Sequence, residues 1–226
     1  SDMSAMRLQA IRALERLAGA EDLISLLDLL SAAEDDSEQE EIGNAIASTA
    51  LEHARPNERA GAVESRLSAE KNPGKRAALL RVLGRIGEDR TLPVVREALA
   101  DDEPLVADAA ARAIAGWPTA VARDDALRIA RSSGSLVHRV LAIEGFVRMV
   151  GLERYRAPEG AVASLREALA FAGRPEERRL IVGALSSFAC PEALELAEEL
   201  AGSPDIGSEA RVAAESIRKE LASRKR

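Results

Sequence analysis

The chain has 226 residues, 46% hydrophobic and 31% charged, a balance typical of a folded protein and not of a disordered one. Aromatic residues make up only 2%, so we expect a core of Ala, Leu, Val and Ile between closely approaching helices. The net charge of −7 opposes nonspecific binding to nucleic-acid phosphates. No apolar run reaches the roughly 18 residues of a membrane helix.

The single cysteine, Cys190, excludes an internal disulfide and leaves both a cytoplasmic and a periplasmic location allowed. The chain opens with Ser1-Asp2-Met3, which resembles a tag remnant, and carries no signal peptide. We therefore expect a module excised from a larger protein, and its compartment stays unassigned.

A pattern of apolar and small residues recurs along the chain and predicts a repeat array. The pattern is clearest in RVLGRIG at 81–87. Its equivalent apolar positions are Leu14, Ile46, Leu83, Ile114, Val147, Leu185 and Ile217. A period of roughly 30–40 residues, with helical periodicity in each copy, indicates a helical solenoid.

In chain order, the segments form helix pairs near 5–33, 37–70, 74–101, 104–131, 135–172 and 175–202, and a final helix near 206–223 caps the stack. All nine prolines fall between helical segments or in a first turn, where the missing N–H does no harm. No convincing run of period two is present, so no strands are expected. The predicted fold is all-α: a right-handed α-α superhelix, forming one array over 1–226.

Local signals mark some of the predicted helix ends. Ser37 and Glu40 have the spacing of a capping box, which predicts a helix start at Ser37. Gly87, Gly151 and Gly173 stand where helix C-termini commonly need a left-handed residue.

KRAALLRVLGRIG at 75–87, followed by LPVVREALADD at 92–102, resembles the short bacterial HEAT repeat, a type that includes the repeats of phycobilin lyases. GWP at 116–118 through HRVLA at 138–142 is similar to HEAT arrays of large multidomain bacterial proteins, notably those of planctomycetes. The resemblance implies a HEAT-like solenoid over nearly the whole chain. HEAT arrays serve many roles, so the resemblance fixes no single function.

The two histidines give no metal or catalytic pair. His53 and His138 are three repeat intervals apart, and each repeat of a solenoid contacts only its neighbours. Deoxyhypusine hydroxylase, an enzyme built from HEAT-like repeats, binds iron through His-Glu pairs. Here Ala54 follows His53 and Arg139 follows His138, so the motif is absent. We expect no metal and no cofactor.

Three further features have a functional and a structural interpretation. Cys190 lies at a helix start, where a thiol can have a lowered pKa and act as a nucleophile. No histidine base accompanies it, so we favour the interpretation of Cys190 as a small apolar turn residue. The acidic run at 34–41 lacks the spacing of a calcium loop, and negative charge at a helix N-terminus is favourable, so a structural role is favoured. The alternative interpretation is a docking site for a basic partner. Trp117 aligns with Ile86, which favours packing inside the array.

The sequence predicts a non-catalytic protein–protein interaction scaffold whose partner is another protein or a neighbouring domain of the same chain. Arg96, Arg123 and Arg166 are expected on second helices lining a concave face. The exposed triplet at 154–156, Arg154-Tyr155-Arg156, is the best loop contact. Alternatives are a DNA-repair glycosylase of the HEAT-like type, which would need a basic groove with aromatics, and a phycobilin lyase-like subunit. Nucleic acid and membrane partners are not expected.

Overall fold

The computed structural model describes residues 9–13, 17–53, 55, 57–153 and 158–223, without the side chain of His53. Within these ranges the chain is mainly helical and no residue lies in a strand, which confirms the predicted all-α fold class. The α-helices are α1 (Leu23–Ala32), α2 (Asp36–His53), α3 (Gly61–Ala69), α4 (Pro73–Ile86), α5 (Leu92–Ala98), α6 (Pro104–Gly116), α7 (Arg123–Ser132), α8 (Leu136–Leu152), α9 (Pro158–Leu169), α10 (Pro175–Leu185), α11 (Pro191–Leu200) and α12 (Gly207–Ser223).

The helices occupy the segments assigned to the repeat pairs, with short 3₁₀ turns before α1, α5 and α7. The chain divides into two compact units, Ser1–Pro118 and Thr119–Arg226. This boundary falls inside the predicted pair 104–131, because α6 belongs to the first unit and α7 to the second. No described helix is both long and apolar enough to cross a membrane.

In the first unit, the first helices of successive pairs pack side by side, α2 on α4 and α4 on α6. The repeat positions Ile46, Leu83 and Ile114 are all 0% exposed, as their periodicity predicts. Gly84 lets α4 and α6 approach closely, since a Cβ there would stand 2.6 Å from the Cβ of Ala113. Small residues therefore set the spacing of this helix layer.

In the second unit, α8 packs on α10 and α10 on α12, while α7 packs on α8 and α9 on α11. Leu185 and Ile217 are fully buried at their repeat positions. Val147 is only half-buried, and its neighbour Phe146 takes the fully buried place. The apolar stripe of α8 is therefore shifted by one residue. The first repeat position, Leu14, lies outside the described residues.

The start of α2 differs from the predicted capping box. The helix begins at Asp36, and the Asp35 carboxylate accepts from the backbone N–H groups of Ser37 at 2.8 Å and Glu38 at 3.2 Å. Ser37 is therefore inside the first turn and cannot be the cap, so that prediction is wrong. The charged Asp35 side chain performs this role instead.

Among the described glycines, Gly87 alone has a positive φ, +60°, at the C-terminus of α4, as predicted. The same prediction is wrong for Gly151 and Gly173. Gly151 lies inside α8, which continues to Leu152, and Gly173 precedes the residue that caps α10.

Candidate binding groove

The predicted partner-binding arginines lie on the second helices of three repeat pairs. Arg96 is exposed on α5 in the first unit, whereas Arg123 and Arg166 belong to α7 and α9 of the second. The remaining predicted contacts, Arg154, Tyr155 and Arg156, lie outside the described residues.

Two of these arginines are held by carboxylates of neighbouring elements. Arg123 pairs with Glu153, just past the end of α8, and with Asp124 at 3.0 Å. Burial works against the charged form of Arg123, but these two carboxylates outweigh it and raise the pKa of the guanidinium. The Nη1 of Arg166 donates to the Oε2 of Glu199 on α11 at 2.6 Å. Arg123 thus links α7 to the residue that follows α8, and Arg166 links α9 to α11, the second helix of the next pair.

A groove of about 630 Å³ lies between the second helices α3 and α5 of the first unit, within the size range of ligand pockets. From α5 and the residues after it come Val94, Glu97, Ala98 and Asp101, spaced i, i+3, i+4 and i+7. This spacing places Val94, Glu97 and Ala98 on one face of α5, and Asp101 follows the end of the helix on the same side of the groove. The opposite wall is the equivalent face of α3, and Arg76 and Leu80 of α4 complete the lining.

The floor of the groove is apolar and its rim is acidic. Leu80 is fully buried, and Leu67 is buried beside it. Four carboxylates and one guanidinium line the groove, a formal charge of −3; the carboxylates are those of Glu64, Glu70, Glu97 and Asp101. A cation can therefore lie over an apolar surface here and meet negative charge on either side.

Not all of this negative charge is neutralised within the protein. Glu64 accepts from the Nη1 of Arg90 at 2.8 Å, and Asp101 is bound by Arg76. Glu70 accepts from the backbone N–H groups of the two residues that follow it, and no cation of the described residues pairs with it or with Glu97. Glu70 and Glu97 are therefore the carboxylates available to a ligand.

Asp101 is fixed in the wall of the groove by two donors. The Nη2 of Arg76 donates to its Oδ2 at 2.5 Å, and the backbone N–H of Glu103 donates to its Oδ1 at 3.0 Å. The Arg76 guanidinium, followed by the Glu103 N–H, holds the pKa of Asp101 below its ordinary value. Arg76 thereby keeps Asp101 ionised to lower pH.

Replacing Arg76 with glutamine is expected to raise the pKa of Asp101 toward the ordinary value of about 3.9. The pKa of Asp101 is lower in the folded protein than in the unfolded chain, so its ionised carboxylate stabilises the fold. This contribution is fully present above the unfolded-state pKa and is lost as the pH falls through the folded-state pKa. The variant should lose part of this pH dependence, because the Glu103 N–H still donates to Asp101. Carboxyl ¹³C NMR titration measures the pKa directly. Arg81→Gln, on the same helix but outside the groove, is the control; an unchanged pKa in Arg76→Gln would contradict the assignment.

Of the other sequence candidates, the side chain of His53 is not described, and the described His138 and Cys190 are not assembled into a reactive site. His138 is half-buried on α8, with its Nδ1 3.5 Å from the Oγ of Ser133. Cys190 is buried. Its desolvation, and secondly the nearby Glu192, raise the pKa of the thiol, whereas a nucleophilic cysteine requires a lowered pKa. Among the side chains that the structure describes, no group of three His, Cys, Asp or Glu is arranged to hold a metal ion.

Comparison with known proteins identifies HEAT repeats in the chain. A family model of HEAT repeats matches residues 61–145, which include α3 to α7 and both walls of the groove. No curated protein sequence matches the chain. A solved structure of human deoxyhypusine hydroxylase in complex with glycerol is similar over 93% of this chain and 89% of that one, at 16% identity and a TM-score of 0.41.

This comparison corrects the function predicted from the sequence. The prediction was a non-catalytic interaction scaffold, with a DNA-repair glycosylase or a phycobilin lyase-like subunit as alternatives, but the protein of similar structure is an enzyme. HEAT repeats are generally non-catalytic, yet the fold alone does not assign a non-catalytic role. At this identity and TM-score, the likeness gives the chain neither an activity nor a ligand.

Proposed function

We propose that the α3–α5 groove binds a lysine- or arginine-bearing segment of another protein, or of a neighbouring domain in the same polypeptide. The observation that carries the proposal is the groove itself: an apolar floor between two acidic walls, with Glu70 and Glu97 lacking a cationic partner among the described residues.

The shape and charge of the groove suit such a segment. The methylene stem of a lysine or arginine can cover Leu67, Val94 and Ala98, while its charged head reaches the rim. Binding then removes little charged surface from water, because the carboxylates remain at the edge. The same negative charge opposes nucleic-acid phosphates. Arg96 precedes Glu97 on α5 and stays a proposed contact, to an acidic position of the partner.

Neutralising the rim is expected to weaken binding of a cationic probe. The probe is a fluorescein-labelled tetralysine peptide, and the variant is Glu70→Gln combined with Glu97→Gln. Exposed ion pairs contribute about 0.2–1 kcal/mol each, so the dissociation constant should rise roughly 2- to 30-fold. Fluorescence anisotropy measures this change, and added salt should reduce the difference between wild type and variant.

The matched control is Glu34→Gln combined with Asp36→Asn, which removes the same two charges from an exposed acidic surface of the first unit. It should bind the probe with an affinity close to that of the wild type. Equal losses in both double variants would mean that the probe senses net charge alone, and the proposal would fail.

A further inference from the structure

We infer that the second unit carries another site of the same chemistry, in the groove between α9 and α11, so that one chain binds two cationic segments. This inference rests on the proposed function of the α3–α5 groove. The two grooves occupy the same place in the repeat, between second helices of successive pairs, but are built from unrelated residues.

The α9–α11 groove has a volume of about 470 Å³ and is formed by one stripe of each helix. The residues from α9 are Glu159, Val162, Ala163, Arg166 and Glu167, spaced i, i+3, i+4, i+7 and i+8. Glu192 and Glu195, spaced i and i+3, come from α11. Val162 is buried and provides an apolar base, as Leu80 does in the first groove.

The charge of this groove repeats that of the first: four carboxylates and one guanidinium, formally −3, in a chain whose net charge is −7. Arg166 is engaged by Glu199, and Glu167 by Arg131 of α7. Glu159, Glu192 and Glu195 have no cationic partner among the described residues. Glu192 and Glu159 also contribute, after burial, to the raised pKa of the Cys190 thiol, so negative potential reaches the base of α11.

Acidity is not a general property of grooves in this protein. Between the first helices α8 and α10, a groove of about 670 Å³ is lined by apolar and small residues such as Leu180, Gly183 and Ala184. Its charged residues are Arg148, Arg179 and Glu176, formally +1. This groove between first helices therefore differs in charge from the two proposed sites, each of which lies between second helices.

The test is a titration of the ¹⁵N-labelled full chain with unlabelled tetralysine, followed by backbone amide shifts. The wild type should show saturable shifts in two places, α3 with α5 and α9 with α11. Glu192→Gln combined with Glu195→Gln should weaken binding at α9 and α11 roughly 2- to 30-fold and leave α3 and α5 unchanged. The double variant at Glu70 and Glu97 should weaken binding at α3 and α5 and leave α9 and α11 unchanged. Calorimetry on the wild type should give a stoichiometry of two peptides per chain.

Each alternative outcome has a defined meaning. Shifts at α3 and α5 alone would overturn the second site and leave the proposed function standing. Absence of shifts in both grooves would overturn the second site and the proposed function together. Residues 34–41, which carry more carboxylates than either groove, are an internal control. If their amides shift with the same concentration dependence as the grooves, the peptide is only screening charge, and the inference is overturned.

Discussion

Replacing Trp117 with alanine is expected to lower the free energy of unfolding by about 3–5 kcal/mol, as large-to-small substitutions of buried aromatic residues do. The indole is 0% exposed, packed inside the array as predicted, and its Nε1 donates to the Oδ1 of Asp89 at 3.2 Å. The substitution leaves a cavity that the surrounding helices can fill only in part. Urea unfolding followed by circular dichroism measures the loss without depending on tryptophan fluorescence.

Trp117→Phe separates the ring from its hydrogen bond. Phenylalanine keeps most of the buried volume and leaves Asp89 exposed to water, so its cost should be near that of one hydrogen bond, about 0.5–1.5 kcal/mol. Equal costs for the two substitutions would mean that the hydrogen bond, not the buried ring, stabilises this site. A loss below about 1 kcal/mol in Trp117→Ala would contradict the packing described here.

Gly84→Ala is expected to destabilise the protein by about 1–3 kcal/mol, although alanine is the better helix former. The new Cβ would stand 2.6 Å from the Cβ and 2.8 Å from the Cα of Ala113 on α6. Backbone cannot move aside as a flexible side chain can, so α4 and α6 must separate. Thermal and urea unfolding should both show the loss.

Gly183→Ala, inside α10, is the matched control, and its expected effect has the opposite sign. A Cβ at this exposed position meets no atom within 4 Å, so only helix propensity changes, and the variant should gain about 0.5–1 kcal/mol. If both variants were stabilised, close packing would not limit the spacing of α4 and α6.

The fold could be predicted from the sequence because its determinants recur. Ile46, Leu83 and Ile114 each lie in a local apolar stripe, and each is buried. Failures arose where the sequence held two competing local signals. Asp35 and Ser37 can both cap a helix, and only the backbone of α2 shows which one does. At Val147, adjacent Phe146 offered a larger side chain for the same buried place.

The groove could not be predicted in the same way. Its carboxylates come from helices about thirty residues apart, and each one, read along its own helix, resembles an ordinary solvated face. The usable signal was the i, i+3, i+4 spacing of Glu64, Leu67 and Ser68 on α3, repeated by Val94, Glu97 and Ala98 on α5. Likewise, Glu199 lies a full repeat after Arg166, so the sequence could not show that this arginine is engaged.

The packing of the first helices is linked to the groove in the first unit. Gly84 and Ala113 allow α4 and α6 to approach closely, and Arg76 and Leu80 of the same helix α4 line the groove between α3 and α5. The groove is thus a product of the repeat architecture, while its charge is a property of these particular side chains. A change in Glu97 should alter binding without altering stability, whereas a change in Gly84 should alter stability first.

A crystal structure of the full chain with tetralysine tests the central proposal most directly. We expect a lysine ammonium within hydrogen-bonding distance of the Glu97 or Glu70 carboxylate, with its methylene stem lying over Leu67, Val94 and Ala98. Peptide density confined to the acidic residues 34–41, with the α3–α5 groove empty at saturating peptide, would contradict it.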